Sequence, residues 1–384
     1  MNRAQSITAY LEEQRESMIR FLSRLVLAES PSTHPESQAV PLTQLWEALD
    51  DLGYAVQLLP GQKSGGHLLA HSADSELINE KSSRQLLIGH CDTVWPIGTL
   101  KDMPLEIKDG VIRGPGVYDM KGGLTQIIFA LRALEALQFE PPVAPVIFIN
   151  SDEEIGSEES RPHICRLAQD AKRAFILEPA LGITGKLKTA RKGVGHFEVE
   201  IHGRAAHAGL DPEKGISAIL ALTYVIQELY ELSDLENGIS VNVGTIDGGM
   251  RTNVIAPLSR ATVDVRAPTI KAAEQLQEAV YNLQSPLPGT TLNIKGGFNR
   301  PPLEPTPANR ELWQAAHEAA RELGLSLEQG MAGGGSDGNY TSLYTATLDG
   351  LGAVGDGAHA RHEFLFIEKL IERTALLVLL LMSP

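Results

Sequence analysis

The feature that most constrains the fold of this chain is an alternation of short apolar runs with segments of helical periodicity. Apolar runs of strand length occupy residues 86–89, 143–150 and 174–177, with another near 352–354. A helical pattern covers residues 123–137. Strands that are apolar on both sides need cover on both faces of their sheet. The pattern therefore predicts an α/β fold with a mostly parallel sheet flanked by helices.

Residues 191–301 show a different pattern, in which the predicted strands have one polar face. The order strand–helix–strand–strand–helix–strand is that of a split βαβ, or ferredoxin-like, module. Its predicted strands and helices lie at residues 197–201, 215–232, 239–245, 261–265, 271–283 and 291–295. We therefore predict an inserted α+β domain over 191–301, within a larger domain made of residues 1–190 and 302–384.

The charge balance limits the partners of the protein. The chain carries 48 Asp and Glu against 33 Lys and Arg, which gives a formal net charge of −15. Such a surface is unsuited to binding nucleic acid or an anionic membrane through general basic contacts. We therefore expect neither as a partner, although a locally basic pocket is compatible with this charge.

Three features predict a cytoplasmic protein. Two cysteines in so long a chain favour a reducing compartment. Charged residues interrupt the first 24 positions, whose apolar residues have helical spacing, so we expect an amphipathic helix rather than a secretory signal. The apolar run at residues 376–382 is far shorter than the ~20 residues of a membrane span, and predicts a core helix.

Acidic and imidazole residues follow the predicted strands at the point where each strand ends. Ligands of open α/β sheets bind beyond the carboxyl ends of the strands, where side chains from different strands converge. Each of these residues alone is more often a turn or capping residue, but together they favour a metal site. They are His90, Asp92, Asp152, Glu153, Glu154, Glu178 and His359, with Asp119 on a loop before the predicted helix.

The number of carboxylates suits two divalent ions. Asp119, Glu154 and Glu178 would leave two Zn²⁺ ions with one net positive charge, which a bridging hydroxide neutralises. Two ions about 3.5–4 Å apart can generate that hydroxide and polarise a carbonyl group. These residues therefore predict metal-assisted hydrolysis.

Spacing within the clusters suggests a division of roles. Residues i and i+2 of an extended segment face the same way, so Asp92 can reach back to His90 and fix its tautomer. Glu153 and Glu154, as neighbours in an extended stretch, should point in opposite directions. One could then bind metal while the other moves a proton. Cys91 should point away from His90 and Asp92, as a buried apolar residue.

Seven segments of the chain share a pattern with one enzyme family. They are His90-Cys-Asp-Thr-Val94, Gly116-Val-Tyr-Asp-Met-Lys-Gly-Gly123, Asp152-Glu-Glu-Ile-Gly-Ser157, Glu178-Pro179, Gly203-Arg-Ala-Ala-His-Ala-Gly209, Gly333-Gly-Gly-Ser-Asp337 and Gly-Ala-His359. In this order they resemble the co-catalytic zinc family of glutamate carboxypeptidase, acetylornithine deacetylase, succinyl-diaminopimelate desuccinylase and aminoacylase. The resemblance spans nearly the whole chain. It implies a zinc-exopeptidase type of fold with an inserted dimerisation domain.

The resemblance also implies two Zn²⁺ ions per chain, for which Co²⁺ or Mn²⁺ could substitute. Asp119 would bridge the two ions. His90 and Glu178 would complete one site, and Glu154 and His359 the other.

Three further residues receive roles from the same resemblance. Glu153 would be the general base, and Asp92 the carboxylate that supports His90. His207 would polarise the scissile carbonyl from the partner subunit, so the resemblance also implies a homodimer formed through the inserted domain.

The expected substrate contacts lie in and near the inserted domain. Arg300 resembles the arginine that binds the substrate carboxylate in the carboxypeptidase branch, and a guanidinium suits a carboxylate because it donates two parallel hydrogen bonds. Gly334 and Gly335 could present backbone N–H groups to the same carboxylate. Asn253 and Arg266 match further polar positions of that domain.

A small basic cluster stands out in this acidic chain. It either recognises an acidic side chain of the substrate or lies on a solvated edge, and the sequence leaves both open. Its members are Lys186, Lys188, Arg191 and Lys192.

The sequence therefore predicts a hydrolase that cleaves an amide bond next to a free α-carboxylate, in a small peptide or an N-acyl amino acid. Arg300 favours the glutamate carboxypeptidase branch, and an N-acyl-amino-acid deacylase is the alternative. A nucleotide-binding oxidoreductase is disfavoured, because no Gly-x-Gly-x-x-Gly follows the first strand. The presence of Glu153 disfavours a non-catalytic metal-binding scaffold.

Overall fold

The structure is a computed structural model that describes residues 2–72, 84–285 and 287–384. The chain divides into two compact units. The first contains Met1–Thr189, Pro305–Ala332 and Ser336–Pro384, and the second contains Ala190–Glu304 and Gly333–Gly335. The second unit thus includes the range expected for the inserted domain, together with three glycines from a later part of the chain.

Helices and strands alternate along most of the chain. The helices are α1 (Arg3–Glu13), α2 (Arg15–Leu27), α3 (Ala39–Asp50), α4 (Gly122–Ala136), α5 (Arg161–Gln169), α6 (Ala218–Glu231), α7 (Ile270–Tyr281), α8 (Pro307–Glu322), α9 (Gly338–Thr341) and α10 (Ile367–Leu381). The strands are β1 (Tyr54–Leu59), β2 (His67–Ser72), β3 (Arg84–His90), β4 (Glu106–Lys108), β5 (Val111–Arg113), β6 (Ala144–Asn150), β7 (Arg173–Ile176), β8 (Leu187–Arg191), β9 (Gly193–His202), β10 (Ser240–Gly248), β11 (Leu258–Ala267), β12 (Thr291–Arg300), β13 (Gln329–Ala332), β14 (Ala346–Leu348), β15 (Gly355–Asp356) and β16 (Phe364–Phe366).

The largest sheet lies in the first unit and has the strand order β1-β2-β6-β3-β7-β14. Strands β6, β3, β7 and β14 are parallel, whereas β2 and β1 extend the sheet by antiparallel pairs. Both faces are covered: Leu87 packs into the core that includes α4 and α10, while Leu86 and Ile88 pack on the other face with Ile164 of α5. The predicted α/β fold with a mostly parallel sheet is confirmed.

Smaller sheets complete the first unit. One has the order β15-β16-β5-β4, and β8 pairs with β13. The strand predicted near residues 352–354 is wrong, because the strand parallel to β7 is β14, several residues earlier. The N–H of Gly352 instead donates to the carbonyl oxygen of Glu178 at 2.9 Å. The apolar run is therefore buried against the segment after β7 without joining the sheet.

The two ends of the chain pack into the core. The predicted N-terminal helix is two helices, α1 and α2, with Gln14 between them. Its expected apolar face is buried through Ile7, Leu11, Met18, Leu22 and Leu25. Helix α10 is buried on nearly all sides, as predicted for a core helix. In the part of the chain that the structure describes, no helix has the length and apolar character to span a bilayer.

The second unit contains the predicted ferredoxin-like module. Its sheet has the order β10-β11-β9-β12, and every neighbouring pair is antiparallel. Helices α6 and α7 cover one face, where Leu222, Val225 and Leu276 pack against Val199 and Val263 of the sheet. Strands β10 and β12 form the two edges.

Two glycines allow close packing just beyond β7. A Cβ atom added to Gly123, in the first turn of α4, would overlap the carbonyl oxygen of Leu177. A Cβ atom added to Gly352 would overlap the same oxygen. The lack of a side chain at both positions therefore brings the start of α4 against the segment that leads to Glu178.

We expect Gly123→Ala to destabilise the protein, although alanine has the higher helix propensity. The helix would gain about 1 kcal/mol, whereas forcing a methyl group into a filled space typically costs about 1–3 kcal/mol and here meets fixed backbone. Gly244→Ala is the control, because its added Cβ atom meets only the side-chain nitrogen of Asn242, at 3.7 Å. The urea concentration at the unfolding midpoint is measured for both variants. An unchanged midpoint for Gly123→Ala would contradict the packing argument.

Candidate metal centre

The structure brings the five predicted metal ligands to one edge of the large sheet. His90 is the last residue of β3, and Glu178 lies two residues beyond β7. Glu154 lies in a short 3₁₀ turn after β6, Asp119 in a turn before α4 with non-helical backbone angles, and His359 in the loop after β15. Because β6, β3 and β7 are parallel neighbours, their carboxyl ends lie side by side.

Asp119 lies between the two histidines. Its Oδ1 is 3.3 Å from His90 Nε2, and its Oδ2 is 3.5 Å from His359 Nε2. Glu178 Oε1 lies 3.5 Å from His90 Nε2, whereas Glu154 Oε2 lies 3.0 Å from His359 Nε2. The five residues thus form two groups that share Asp119 and differ in their histidine and their glutamate.

Burial and neighbouring charges shift the pKa values of these groups. Hydrogen bonds to Asp119 and Glu154 raise the pKa of His359 to about 11. Burial alone would lower the pKa of His90, but hydrogen bonds to its carboxylate neighbours, Asp119 first, raise it well above the usual value. Burial and the charge of Asp119 raise the pKa of Glu154 to about 7. Both histidine shifts favour the imidazolium form, and binding of a metal ion requires loss of its extra proton.

The donor set fits a divalent metal ion. Carboxylate and imidazole groups are ligands that Zn²⁺, Co²⁺ and Mn²⁺ accept. The ligand atoms of His90, Asp119 and Glu154 lie within 4.8 Å of one another. Glu154 Oε1 is buried and has no hydrogen-bond partner among the residues that the structure describes, which leaves an acceptor for a cation.

Glu153 also approaches the cluster, so the expectation that it points away from Glu154 is wrong. The two residues lie in a 3₁₀ turn rather than an extended segment, and their side chains do not alternate as in a strand. A carboxylate oxygen of Glu153 lies within 4.8 Å of the ligand atoms of His90 and Glu178. Glu154 instead contacts His359. Both glutamates therefore lie within 4.8 Å of a ligand atom of His90, and Glu154 also forms an ion pair with His359.

Asp92 connects the ends of two strands. Its Oδ1 lies 3.4 Å from His90 Nδ1. The same carboxylate accepts hydrogen bonds from the backbone N–H groups of Glu153 and Glu154, both at 3.2 Å, and from the Ser32 hydroxyl at 2.6 Å. Burial opposes ionisation, but the hydrogen bond with His90 holds the pKa of Asp92 below its usual value. The spacing of His90 and Asp92 predicts the first contact, but not the contacts to the next strand end.

Asp152, also at this strand end, lies outside the cluster. Its Oδ2 accepts the backbone N–H groups of Glu159 and Ser160, at 2.8 and 3.2 Å, so it closes the loop that precedes α5. Asp337, in the glycine-rich segment, accepts hydrogen bonds from Asn150 and from the Ser157 hydroxyl. Asp337 therefore fixes the same loop from the other side, a role that its position after three glycines does not indicate.

Glu363 is a buried carboxylate that the sequence analysis missed. Its Oε1 accepts hydrogen bonds from the backbone N–H groups of Tyr118 and Asp119, at 2.9 and 3.1 Å. Its Oε2 accepts from the N–H of Gly116 and from the indole N–H of Trp95, at 2.9 and 2.8 Å. A single acidic residue before a short strand carries no sequence signal for these contacts.

His207 and Asn253 are neighbours in the second unit. His207 is exposed, and its Nδ1 accepts the backbone N–H groups of Gly209 and Leu210, both at 3.1 Å. The ring proton of a neutral imidazole therefore resides on Nε2, which can act as a donor. The backbone carbonyl oxygen of Asn253 accepts the N–H of Ala208 at 3.0 Å.

Arg300 and the glycine segment also lie together in the second unit. Arg300 ends β12 and is buried, and a Cβ atom added to Gly335 would lie 2.9 Å from Arg300 Cδ. Arg191 donates hydrogen bonds to the carbonyl oxygens of Gly334 and Gly335, each at 3.0 Å. Arg191 thus holds this segment in place, a role that its membership in a basic cluster does not predict.

The basic cluster does not lie on a solvated edge as a whole. Lys188 and Arg191 are buried, so that interpretation is wrong for these two residues. Lys186 forms an ion pair with Glu328 at 2.7 Å. These residues therefore make separate contacts and do not form one charged surface.

Arg266 has a partner on its own strand. Its Nε and Nη2 donate to the two carboxylate oxygens of Asp264, both at 2.8 Å. The two residues are separated by two positions in β11 and so face the same side of the sheet. One of the two guanidinium edges that can bind a carboxylate, the Nε/Nη2 edge, is therefore already occupied.

The sequence of the chain was compared with protein families and with known proteins. The chain matches the model of Peptidase family M20/M25/M40 over residues 86–383. It is 26% identical over 379 residues to carboxypeptidase G2 of Pseudomonas sp. (strain RS-16), with 97% of this chain and 90% of that protein covered. It is 28% identical over 291 residues to acetylornithine deacetylase of Salmonella arizonae, with 70% of this chain and 67% of that protein covered.

The fold has solved relatives as well. The aminopeptidase PepT of Bacillus cereus matches with a TM-score of 0.76 at 22% identity, over 96% of this chain and 98% of that chain. At that identity the likeness concerns the fold. The matched range contains the positions of the five predicted ligands, and the family match excludes the oxidoreductase alternative. The chain belongs to Peptidase family M20/M25/M40, a family of metal-dependent hydrolases.

Proposed function

We propose that the protein is a two-metal hydrolase that cleaves an amide bond next to a free α-carboxylate, in the manner of a glutamate carboxypeptidase. The observation that carries the proposal is the position of Asp119, whose two oxygens face different histidines. A carboxylate placed in this way suits the bridging of two ions. His90 and Glu178 would then complete one site, and Glu154 and His359 the other.

Proton transfer and orientation of the metal ligands would be performed by side chains of the chain itself. Two Zn²⁺ ions, or Co²⁺ or Mn²⁺ in their place, would lower the pKa of a water molecule and polarise the substrate carbonyl. Glu153 would take the proton of the attacking water and deliver it to the leaving amine. A carboxylate oxygen of Glu153 lies within 4.8 Å of ligand atoms of His90 and Glu178, whereas Glu154 contacts His359. Asp92 would hold the tautomer of His90.

Groups in the second unit support recognition of a carboxylate. Arg300 would bind the substrate carboxylate, with Gly334 and Gly335 beside it. Asn253 would add a polar contact, and Arg266 could contribute only the N–H groups that Asp264 leaves. The likeness to carboxypeptidase G2 over 97% of the chain favours cleavage of a small peptide or an acyl-glutamate-like amide. The likeness to acetylornithine deacetylase favours the second candidate, an N-acyl-amino-acid deacylase.

Exposed apolar side chains support a homodimer formed through the second unit. Helix α6 buries one face, yet Ile219, Leu220 and Tyr224 on its outer face are exposed, and so is Ile246 of β10. Strand β10 is also an edge strand, whose outer backbone groups can pair with another chain. A second copy of this chain would cover both features. In such a dimer, His207 would donate its Nε2 proton to the substrate carbonyl held by the partner subunit.

We place the enzyme in the cytoplasm on the evidence of its cysteines. Cys91 and Cys165 are not joined by a disulfide bond. Burial raises the pKa of the Cys91 thiol to about 12, which keeps it protonated and unreactive. The fold therefore contains no disulfide bond between these cysteines that an oxidising compartment would have to form.

Glu153→Gln should abolish turnover and leave metal content intact, because it removes the proton carrier and no ligand. General acid–base catalysis contributes about 10²–10⁴-fold to the rate. Glu154→Gln, the matched variant, should lose one metal, because Glu154 contacts His359. Metal analysis and steady-state assays of both variants separate these effects. An equal loss of metal in the two variants, or an active wild-type protein with fewer than two metal equivalents, would contradict the proposed roles.

Arg300→Ala should raise KM for substrates with a free C-terminal carboxylate. Losing a charge-assisted hydrogen bond costs about 1.5–3 kcal/mol, or roughly 10- to 150-fold. Arg310→Ala, at an exposed position of α8, is the control and should change nothing. The assay compares free-acid with amidated substrates, in both peptidyl and N-acetyl series, so it also distinguishes peptidase from deacylase. Equal wild-type activity on acid and amide would remove the reason for invoking Arg300.

Mixing two inactive variants, His207→Ala and Glu153→Gln, should restore activity under conditions that exchange subunits. Each heterodimer would have one intact site, with Glu153 from one chain and His207 from the other. Random exchange would then restore about a quarter of the wild-type activity. Separate incubation of each variant is the control. Heterodimers that form without recovered activity would mean that His207 does not act on the partner subunit.

A further inference from the structure

The carboxylate of Glu363, in the segment after His359, binds two other segments around the candidate metal centre. Its four hydrogen-bond donors belong to the Gly116–Asp119 turn and to Trp95, which follows the segment that contains Asp92. The side chain is fully buried, with 0% of its surface exposed. Glu363 therefore contacts the turn that carries Asp119 through the backbone and not through the ligand oxygens.

The backbone of Glu363 is fixed as well. Its N–H donates to the carbonyl oxygen of Ala360 at 3.0 Å, and its carbonyl oxygen accepts the N–H of Gly114 at 3.4 Å. The next residue, Phe364, begins β16 and pairs with β5. His359 lies four positions earlier in the same segment. The position of Glu363 is therefore coupled to that of His359 as well as to that of Asp119.

Two glycines make this close approach possible. Gly116 has a φ of 75° and Gly357 a φ of 85°, conformations that residues with a Cβ atom rarely adopt. A Cβ atom added to Gly357 would lie 2.8 Å from the Cα atom of Glu363. Both turns thus bend tightly around the buried carboxylate.

Only an ionised carboxylate matches this set of donors. Each oxygen of Glu363 accepts two N–H groups, and a carboxylate has acceptors alone. A glutamine at this position would keep one oxygen and set its NH₂ group against two N–H donors. The unmatched donors would then be buried without a partner, which is the costly case for hydrogen bonds.

We propose that Glu363 is a positioning residue for the metal centre, which holds Asp119 at the place where its two oxygens reach both histidines. The inference rests on the proposed function, because Asp119 is the proposed bridging ligand. The carboxylate of Glu154 lies within 4.8 Å of a carboxylate oxygen of Asp119 and repels it. This repulsion favours displacement of Asp119 away from the histidines. The hydrogen bond from the Asp119 N–H to Glu363 opposes that displacement.

The test is the metal affinity of Glu363→Gln, measured by titrating metal-free protein with Zn²⁺ and with Mn²⁺ against a chromophoric chelator. Loss of a group that orients a metal ligand typically weakens binding by about 10–100-fold. Both binding steps should weaken, because the displaced Asp119 serves both ions. Glu368→Gln is the control, since Glu368 lies exposed on the adjacent α10 and should leave both dissociation constants unchanged.

Two further variants keep the proposal testable if Glu363→Gln does not fold. Glu363→Asp retains the charge but shortens the side chain, and Trp95→Phe removes only the indole donor. Both should fold and bind both ions more weakly than wild type, with losses below the ~10–100-fold typical of removing such a partner and smaller for the phenylalanine than for the aspartate.

The outcomes separate the inference from the proposed function. Wild-type affinity in the folded Glu363 variants, even with a lowered unfolding midpoint, would show a purely structural role and overturn the inference alone. A wild-type protein that binds neither metal would overturn the proposed function and the inference together. Weakened binding in the Glu363 variants, with an unchanged Glu368→Gln control, supports the inference.

Discussion

Repulsion among buried carboxylates is the constraint on which the rest of the site depends. Asp119, Glu154 and Glu178 converge within reach of two histidines, and the charge of Asp119 together with burial raises the pKa of Glu154 to about 7. Bringing like charges together in a buried place costs free energy unless cations or hydrogen bonds compensate it. The two imidazoles supply part of that compensation, and the proposed metal ions would supply the remainder. An arrangement of this kind needs a rigid frame, because its members would otherwise move apart.

Two further carboxylates provide that frame by binding backbone N–H groups rather than metal. Asp92 ties the end of β3 to the turn that contains Glu153 and Glu154, and Glu363 ties the segment after His359 to the turn that contains Asp119. Both are buried, and both accept more hydrogen bonds than a neutral amide could. Close backbone packing adds to this frame, since Gly123 and Gly352 both approach the carbonyl oxygen of Leu177. Stability and proposed catalysis therefore depend on the same contacts.

The second unit combines exposed apolar side chains with the proposed substrate-binding groups. Its sheet buries one face under α6 and α7, and exposes apolar groups on the outer side of α6 and on the edge strand β10. Its polar groups are ordered by hydrogen bonds to the backbone: Arg191 donates to the carbonyl oxygens of Gly334 and Gly335, and the backbone N–H groups of a tight turn orient His207. The unit therefore presents preformed groups for a substrate carboxylate and an apolar surface for a second copy of the chain, which are the two roles that we propose for it.

The sequence by itself determined the fold class and the identity of the converging residues. Periodicity is local, and the carboxyl ends of parallel strands always meet at one edge of a sheet. These two rules therefore placed His90, Glu154 and Glu178 at one edge of the sheet from the sequence alone. Only the tertiary structure decided which partners hold them. The contact from Asp92 to the Glu153 N–H spans 61 positions and that from Glu363 to the Asp119 N–H spans 244, and neither follows from a local pattern. The same reason explains why residues 352–354 are apolar yet form no strand: their burial comes from contact with a distant strand end.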